Sequence, residues 1–185
     1  MWAKRFPLPE FNYEPLRDLA WSEPDYLSDL EVDRLVAMGT DGEECQQMSY
    51  PVRASDQFFK KFNVTGEYRH AVLCRTPNSD IHVVGRSHAW KKQRLIIVDS
   101  LDPDRYNVLL DWSTSRPMST RLGPKEGVTM PGGIWFAVFA HMIGTHLVGN
   151  RTLTQTGTDG LELSILSSSE SDMDDFHDCN LYLHW

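Results

Sequence analysis

The stretch Ile134-Trp-Phe-Ala-Val-Phe-Ala-His-Met-Ile-Gly-Thr-His-Leu-Val148 is the most apolar in the chain, and its reading decides the fold. It is shorter than the roughly 20 apolar residues a membrane span needs, so it belongs in a core. We read it as a buried apolar helix near 134–148. On such a helix His141 and His146, five residues apart, would point about 140° away from each other. Metal-binding pairs on one helix favour i, i+4 spacing, and the metalloprotease signature adds a Glu that this stretch lacks, so no metal site is expected there.

Around this segment lie 185 residues with 18 Lys+Arg against 26 Asp+Glu, a net charge of −8, and 41% hydrophobic residues. That length suits one domain, and the composition excludes a disordered chain, a collagen-like fibre and a coiled coil. Cys45, Cys74 and Cys179 are too few and too scattered for a disulfide framework, so free thiols in a reducing compartment are expected. The N-terminus has Lys4 and Arg5 but no apolar run behind them, which speaks against a secretory signal. The sequons at Asn63 and Asn150 are then read as unused, and an intracellular location, cytoplasmic or nuclear, is expected.

Residues 1–26 carry prolines at 7, 9, 15 and 24 interleaved with aromatics, and read as an extended arm. Residues 27–185 read as a single globular domain of the α+β class with a mainly antiparallel sheet. Ser28 and Glu31 form a capping box, with Leu27 placed to staple onto Val32 and Gly39 as a stop, which predicts a helix over 28–38. Ser55 heads a second short helix with Phe58, Phe59 and Phe62 on one face. Tyr68–Arg75 alternates as a strand. Ile81–Val84 and Leu95–Val98 read as a hairpin with a long polar connection. Residues 106–112 fit a helix or a strand. Residues 113–133, rich in Pro and Gly, read as a long loop of the kind that is often functional or mobile. Two further strands are expected near 161–165 and 181–185.

Charge is uneven along the chain: net −5 over 1–61, +4 over 62–125 and −7 over 126–185. A basic middle and an acidic end attract each other, within one chain or between copies. The acidic residues 170–178 lack the central Gly and terminal Glu of a calcium loop, so a solvated acidic segment is expected. No phosphate-binding glycine loop occurs, and no cofactor is expected.

Three functional readings follow. The leading one is a non-enzymatic intracellular binding or assembly protein acting by protein–protein contact or self-association. Trp2, Phe6, Phe11 and Tyr13 of the arm and Arg86, Trp90, Lys91, Lys92 and Arg94 of the basic loop would be its contact residues. The second is a cysteine hydrolase with Cys179 as nucleophile, His82 as base and Asp99 orienting the imidazole. His82 and Asp99 on neighbouring strand candidates, with Asp178 before Cys179, resemble the SUMO-protease and adenovirus-protease clan, and the resemblance implies those three roles. The chain departs from that pattern at Val83, where an aromatic would follow the His. It departs again at Asn180, where a Gly would follow the Cys, and in the lack of a Gln shortly before Cys179. The third reading is nucleic-acid binding by loop 86–94, whose cations flank Trp90.

Overall fold

The computed structural model describes residues 28–38, 48–65, 70–116, 120–156, 162–168 and 178–185. Two β-sheets face each other as a sandwich. In the first, β6 (Val108–Ser113) pairs with β5 (Gln93–Val98), and β5 with the long strand β9 (Ile134–Ile143). The other edge of β9 is shared by β3 (His70–Arg75), which leads on to β1 (Met48–Arg53), and by β10 (His146–Gly149), which leads on to β2 (Val64–Thr65). In the second sheet β11 (Arg151–Thr156), β12 (Glu162–Ser168), β13 (Cys179–His184) and β4 (Asp80–Ser87) follow in order. Both β7 (Arg121–Leu122) and β8 (Val128–Pro131) pair with β4. Every ladder is antiparallel except β2–β10.

The segment 134–148 is therefore a strand and a hairpin arm, not a helix. β9 is buried on both faces, which removes the alternation that marks a one-sided strand. Trp135, Ala137 and Phe139 face the space between the sheets, where they meet Ile81 and Val83 of β4 and Leu181 and Leu183 of β13. Phe136, Val138 and Ala140 face outward, into a second core under a helix. The two-residue link Gly144-Thr145 turns the chain back, with Gly144 at φ +61. Among the described residues strand far outweighs helix, so the α+β class with a buried apolar helix gives way to a mostly β fold.

Two helices occur among the described residues. In α1 (Asp29–Met38) the capping box forms: the Glu31 amide donates to Ser28 Oγ at 3.3 Å, and the Ser28 amide donates to Glu31 Oε2 at 2.8 Å. In α2 (Asp56–Lys61) the Phe58 amide donates to Ser55 Oγ. Phe58, Phe59 and Phe62 cover the outer face of the first sheet, joined by Tyr106 in a ring cluster with centroids 5.2–5.8 Å apart.

The expected hairpin of 81–84 with 95–98 does not form, because β4 and β5 lie in different sheets. Each finds longer partners elsewhere, and the connection 88–92 crosses the end of the sandwich. The stretch 113–133 is also more ordered than a long loop, since it supplies β7 and β8 to the edge of β4. Of residues 106–112, those from Val108 on resolve as strand, in β6. The arm 1–26 lies outside the described residues, as do Leu27, Gly39, Cys45 and the acidic residues up to 177. Among the described residues no helix is long and apolar enough to cross a membrane.

Candidate functional site

The thiol constellation is not brought together. Cys179 pairs with Ser87 on β4, whereas His184 pairs with His82, so five register positions, roughly 17 Å of strand, separate His82 from the cysteine. Cys179 also faces the inter-sheet core with Ile81 and Val83, while His82, one residue from each, faces the opposite way. Asp99 follows β5 in the other sheet, where Asn107 donates to both its oxygens, at 2.6 and 2.8 Å. Burial pushes the Cys179 thiol far above its ordinary value, with the Asp178 charge adding to the shift, which is the reverse of what a nucleophile needs.

The basic loop divides in the same way. Arg86 lies on the outer face of the second sheet and donates to the carbonyls of Gly85 at 2.9 Å and Lys125 at 3.2 Å. Arg94 lies on the outer face of the first sheet, bonded to Asp111. The two guanidinium groups thus sit on opposite sides of the sandwich and cannot close on one phosphate. Trp90 is 75% exposed. Lys92 is exposed and Lys91 partly so. Trp2, Phe6, Phe11 and Tyr13 lie outside the described residues.

A groove of about 540 Å³ opens beside Arg94, lined among others by Lys92, Asp111, Ser113, Met142 and Leu147. Strand parity explains the grouping. On β5 the even positions point outward, so Arg94 follows Ile96 and Val98 onto the outer face. On β6 Leu110 points into the inter-sheet core, which turns Asp111 and Ser113 outward. The β9–β10 hairpin adds Met142 and Leu147 as an apolar wall that continues the outer core.

Arg94 is fixed on several sides. Its Nε–H and Nη2–H donate to the two Asp111 oxygens at 3.0 and 2.8 Å, the bidentate fork that suits guanidinium and carboxylate. Its Nη1–H reaches the Phe62 carbonyl at 3.4 Å, and its carbon lies 6.0 Å from the Phe62 ring centroid. The bonds to Asp111 raise its pKa above the ordinary value despite partial burial. The site therefore presents a neutralised, rigid polar edge next to an apolar wall.

Behind the groove runs a buried polar network that ties the two sheets together. His141 Nδ1–H donates to Asn150 Oδ1 at 2.6 Å; Asn150 Nδ2 donates to Gln93 Oε1 at 2.9 Å and Ser167 Oγ at 3.1 Å. Ser167 Oγ–H continues to the Cys179 carbonyl, and Gln93 Nε2 to the Lys91 carbonyl. The Gln93 amide donates to Thr114 Oγ1 at 2.8 Å, and Gln93 and Thr114 also line the groove. Asn150 of the second sequon is thus a buried core residue, 2% exposed.

Asp111, Ser113, Met142 and Leu147 escaped the sequence reading. Reading 106–112 as a strand beside 94–98 would have placed Asp111 and Arg94 on one face. Among the described residues no cluster of three or more His, Cys, Asp or Glu is arranged to hold a metal.

No family model matches the chain, and no curated protein matches it. Solved structures similar to it include the C-terminal domain of the BC2L-C lectin from Burkholderia cenocepacia, at 16% identity and TM-score 0.44, covering 60% of this chain and 90% of that one. The Ralstonia solanacearum high-affinity mannose-binding lectin follows at 14% and 0.44, covering 61% and 94%. The Chromobacterium violaceum lectin CV2L, in complex with alpha-methyl-fucoside, stands at 13% and 0.41, covering 61% and 94%. The expectation of an assembly adaptor does not stand. The structure also removes one of its motives: the stretch 113–133, expected as a long loop, carries the short strands β7 and β8.

Proposed function

We propose that this chain is a saccharide-binding domain whose ligand sits in the groove beside Arg94 and Asp111. The observation that carries the reading is the union, in one open groove, of a locked guanidinium–carboxylate fork and an apolar wall of Met142 and Leu147. A sugar ring offers the matching chemistry. Its hydroxyls both donate and accept, so neighbouring hydroxyls suit fixed donors and fixed carboxylate oxygens side by side, while its C–H face needs an apolar surface. The fork cancels its own charge, so what it offers a ligand is hydrogen bonding rather than net charge. Among the described residues Asp111 is the single carboxylate in the lining, whereas hydrolysis of a glycosidic bond generally uses two, so binding fits the groove better than turnover.

The test is calorimetric titration of the full chain with a panel of neutral saccharides, repeated on Asp111→Asn. Saturable binding by the parent chain that Asp111→Asn loses while keeping its fold is the expected result. Failure of the parent chain to bind any member of the panel at millimolar concentration refutes the reading.

A further inference from the structure

The loop that leads into the groove carries an aromatic side chain that the groove alone does not use. Trp90 is 75% exposed, yet the chain on either side of it is pinned. Before it, the Ser87 hydroxyl and the His88 amide both donate to the Asp178 carbonyl, at 2.8 and 3.2 Å, and Ala89 is buried. After it, the Met142 amide donates to the Lys92 carbonyl at 2.9 Å, and Gln93 Nε2 donates to the Lys91 carbonyl at 3.1 Å. Trp90 thus presents a large ring, apolar in its body and polar at its N–H, on a loop whose backbone is already fixed. Its position is specific: Trp90 stands two residues before Lys92, which lines the groove.

We infer that Trp90 is a stacking platform that extends the groove, and that the ligand is an oligosaccharide of at least two units rather than a single sugar. This rests on the saccharide reading of the groove. One unit would occupy the fork of Arg94 and Asp111, and the next would lay its C–H face on the indole, whose electron-rich face attracts those polarised hydrogens. The pinned loop means the ring is already in place, so little conformational freedom is lost on binding.

The experiment uses the full chain and the manno-, cello- and chito-oligosaccharide series, one to three units long. Affinity is measured by calorimetry, and the Trp90 indole N–H resonance, assigned by its loss in Trp90→Ala, is followed by NMR. We expect the two-unit member of the bound series to bind about tenfold tighter than the one-unit member, with the indole signal shifting only for the longer ligand. Trp90→Ala should erase that gain while leaving the single sugar's affinity unchanged, and Trp90→Tyr should restore part of it. Equal affinity for one and two units, or a gain that survives in Trp90→Ala, overturns the platform and leaves the groove reading intact. Absence of binding to every member of the three series overturns both.

Discussion

Asp111 lies diagonally across the β5–β6 ladder from Arg94, opposite Ile96 and two register positions along from the direct Arg94–Ser113 pair, and each of its oxygens takes one guanidinium N–H. The pair is partly open to solvent, with side-chain exposures of 25% for Arg94 and 39% for Asp111. Ion pairs so placed contribute about 1 kcal/mol or less to folding. Their geometry is then worth more to a ligand than to stability.

Arg94→Lys tests that separation, because it keeps the charge and removes the fork. We expect urea unfolding to shift by about 1 kcal/mol or less, while affinity for the bound saccharide falls at least about tenfold. Equal retention of both properties would show that a point charge suffices and that the fork is incidental.

Asn150 is the hub on which His141, Gln93 and Ser167 converge, and it sits on the link that carries the chain from one sheet to the other. Asn150→Ala removes the acceptor of the His141 N–H and the donor to Gln93 Oε1 and Ser167 Oγ, while the Ser167 hydroxyl keeps its bond to the Cys179 carbonyl. The expected loss is about 2–4 kcal/mol, groups deprived of a bond at about 1–3 kcal/mol each, eased by relaxation. Ser167→Ala on its own should cost less, and the double variant less than the sum, because both act on one network. Strict additivity of the two in denaturant titrations would contradict a connected network.

Much of the local structure was readable from the chain, and the larger errors share one physical origin. The caps at Ser28 and Ser55 act within four residues, so they need no tertiary context. β9 misled because both of its faces are covered, by the second sheet and by α2, which erases the alternation that exposes a strand. Its one local clue was Gly144-Thr145, a glycine-first pair of the kind that closes two-residue hairpins. The pairing of 81–84 with 95–98 failed because both runs are apolar enough for either sheet, and sequence proximity does not choose between partners. Asp111 was invisible as a site residue until its strand was known, since the face it shares with Arg94 depends on register alone.

His82 sets a pH dependence. Its Nε2–H donates to the Glu126 carbonyl at 2.7 Å, which leaves Nδ1 as the acceptor, 3.5 Å from the Thr129 hydroxyl. Partial burial, then the charge of His184 across the β4–β13 ladder, hold its pKa below the ordinary 6.5. A base that titrates lower in the fold than in the unfolded chain favours the fold while neutral. Its contribution is complete above about pH 6.5, declines as pH falls below that, and levels off beneath the lower folded value. Urea midpoints measured from pH 8 to pH 5 should therefore fall less steeply in His82→Gln than in the parent chain. Parallel slopes would remove His82 as the source.

Cys74 and Cys179 are both fully buried in the inter-sheet core, and burial pushes both thiols well above their ordinary range. Thiolate is the reactive form, so a maleimide at neutral pH should label neither until the sandwich opens. Labelling of these two, followed by peptide mass spectrometry, should rise together through the urea transition. Rapid modification of Cys179 in the native protein would mean that the end of the β4–β13 ladder opens locally, and would revive a reactive role for it.

Glycine substitutions separate two kinds of tight position. Gly127 has φ +77, and a Cβ built there would lie 2.2 Å from the Val83 carbonyl oxygen and 2.8 Å from Val84 Cγ2. Backbone cannot move aside as a side-chain tip can, so Gly127→Ala must displace the loop that carries the Glu126 carbonyl to His82. We expect a loss of about 3 kcal/mol or more, left-handed strain plus the clash, together with a flatter pH profile because the His82 bond goes with the loop. Gly144 has φ +61 but nothing within 4 Å of its added Cβ, so Gly144→Ala meets conformational strain alone, about 1–2 kcal/mol. Thermal unfolding should rank the parent chain above Gly144→Ala, and Gly144→Ala above Gly127→Ala. The reverse order of the two variants would mean that the hairpin turn, and not the β4 edge, is the tighter constraint on this sandwich.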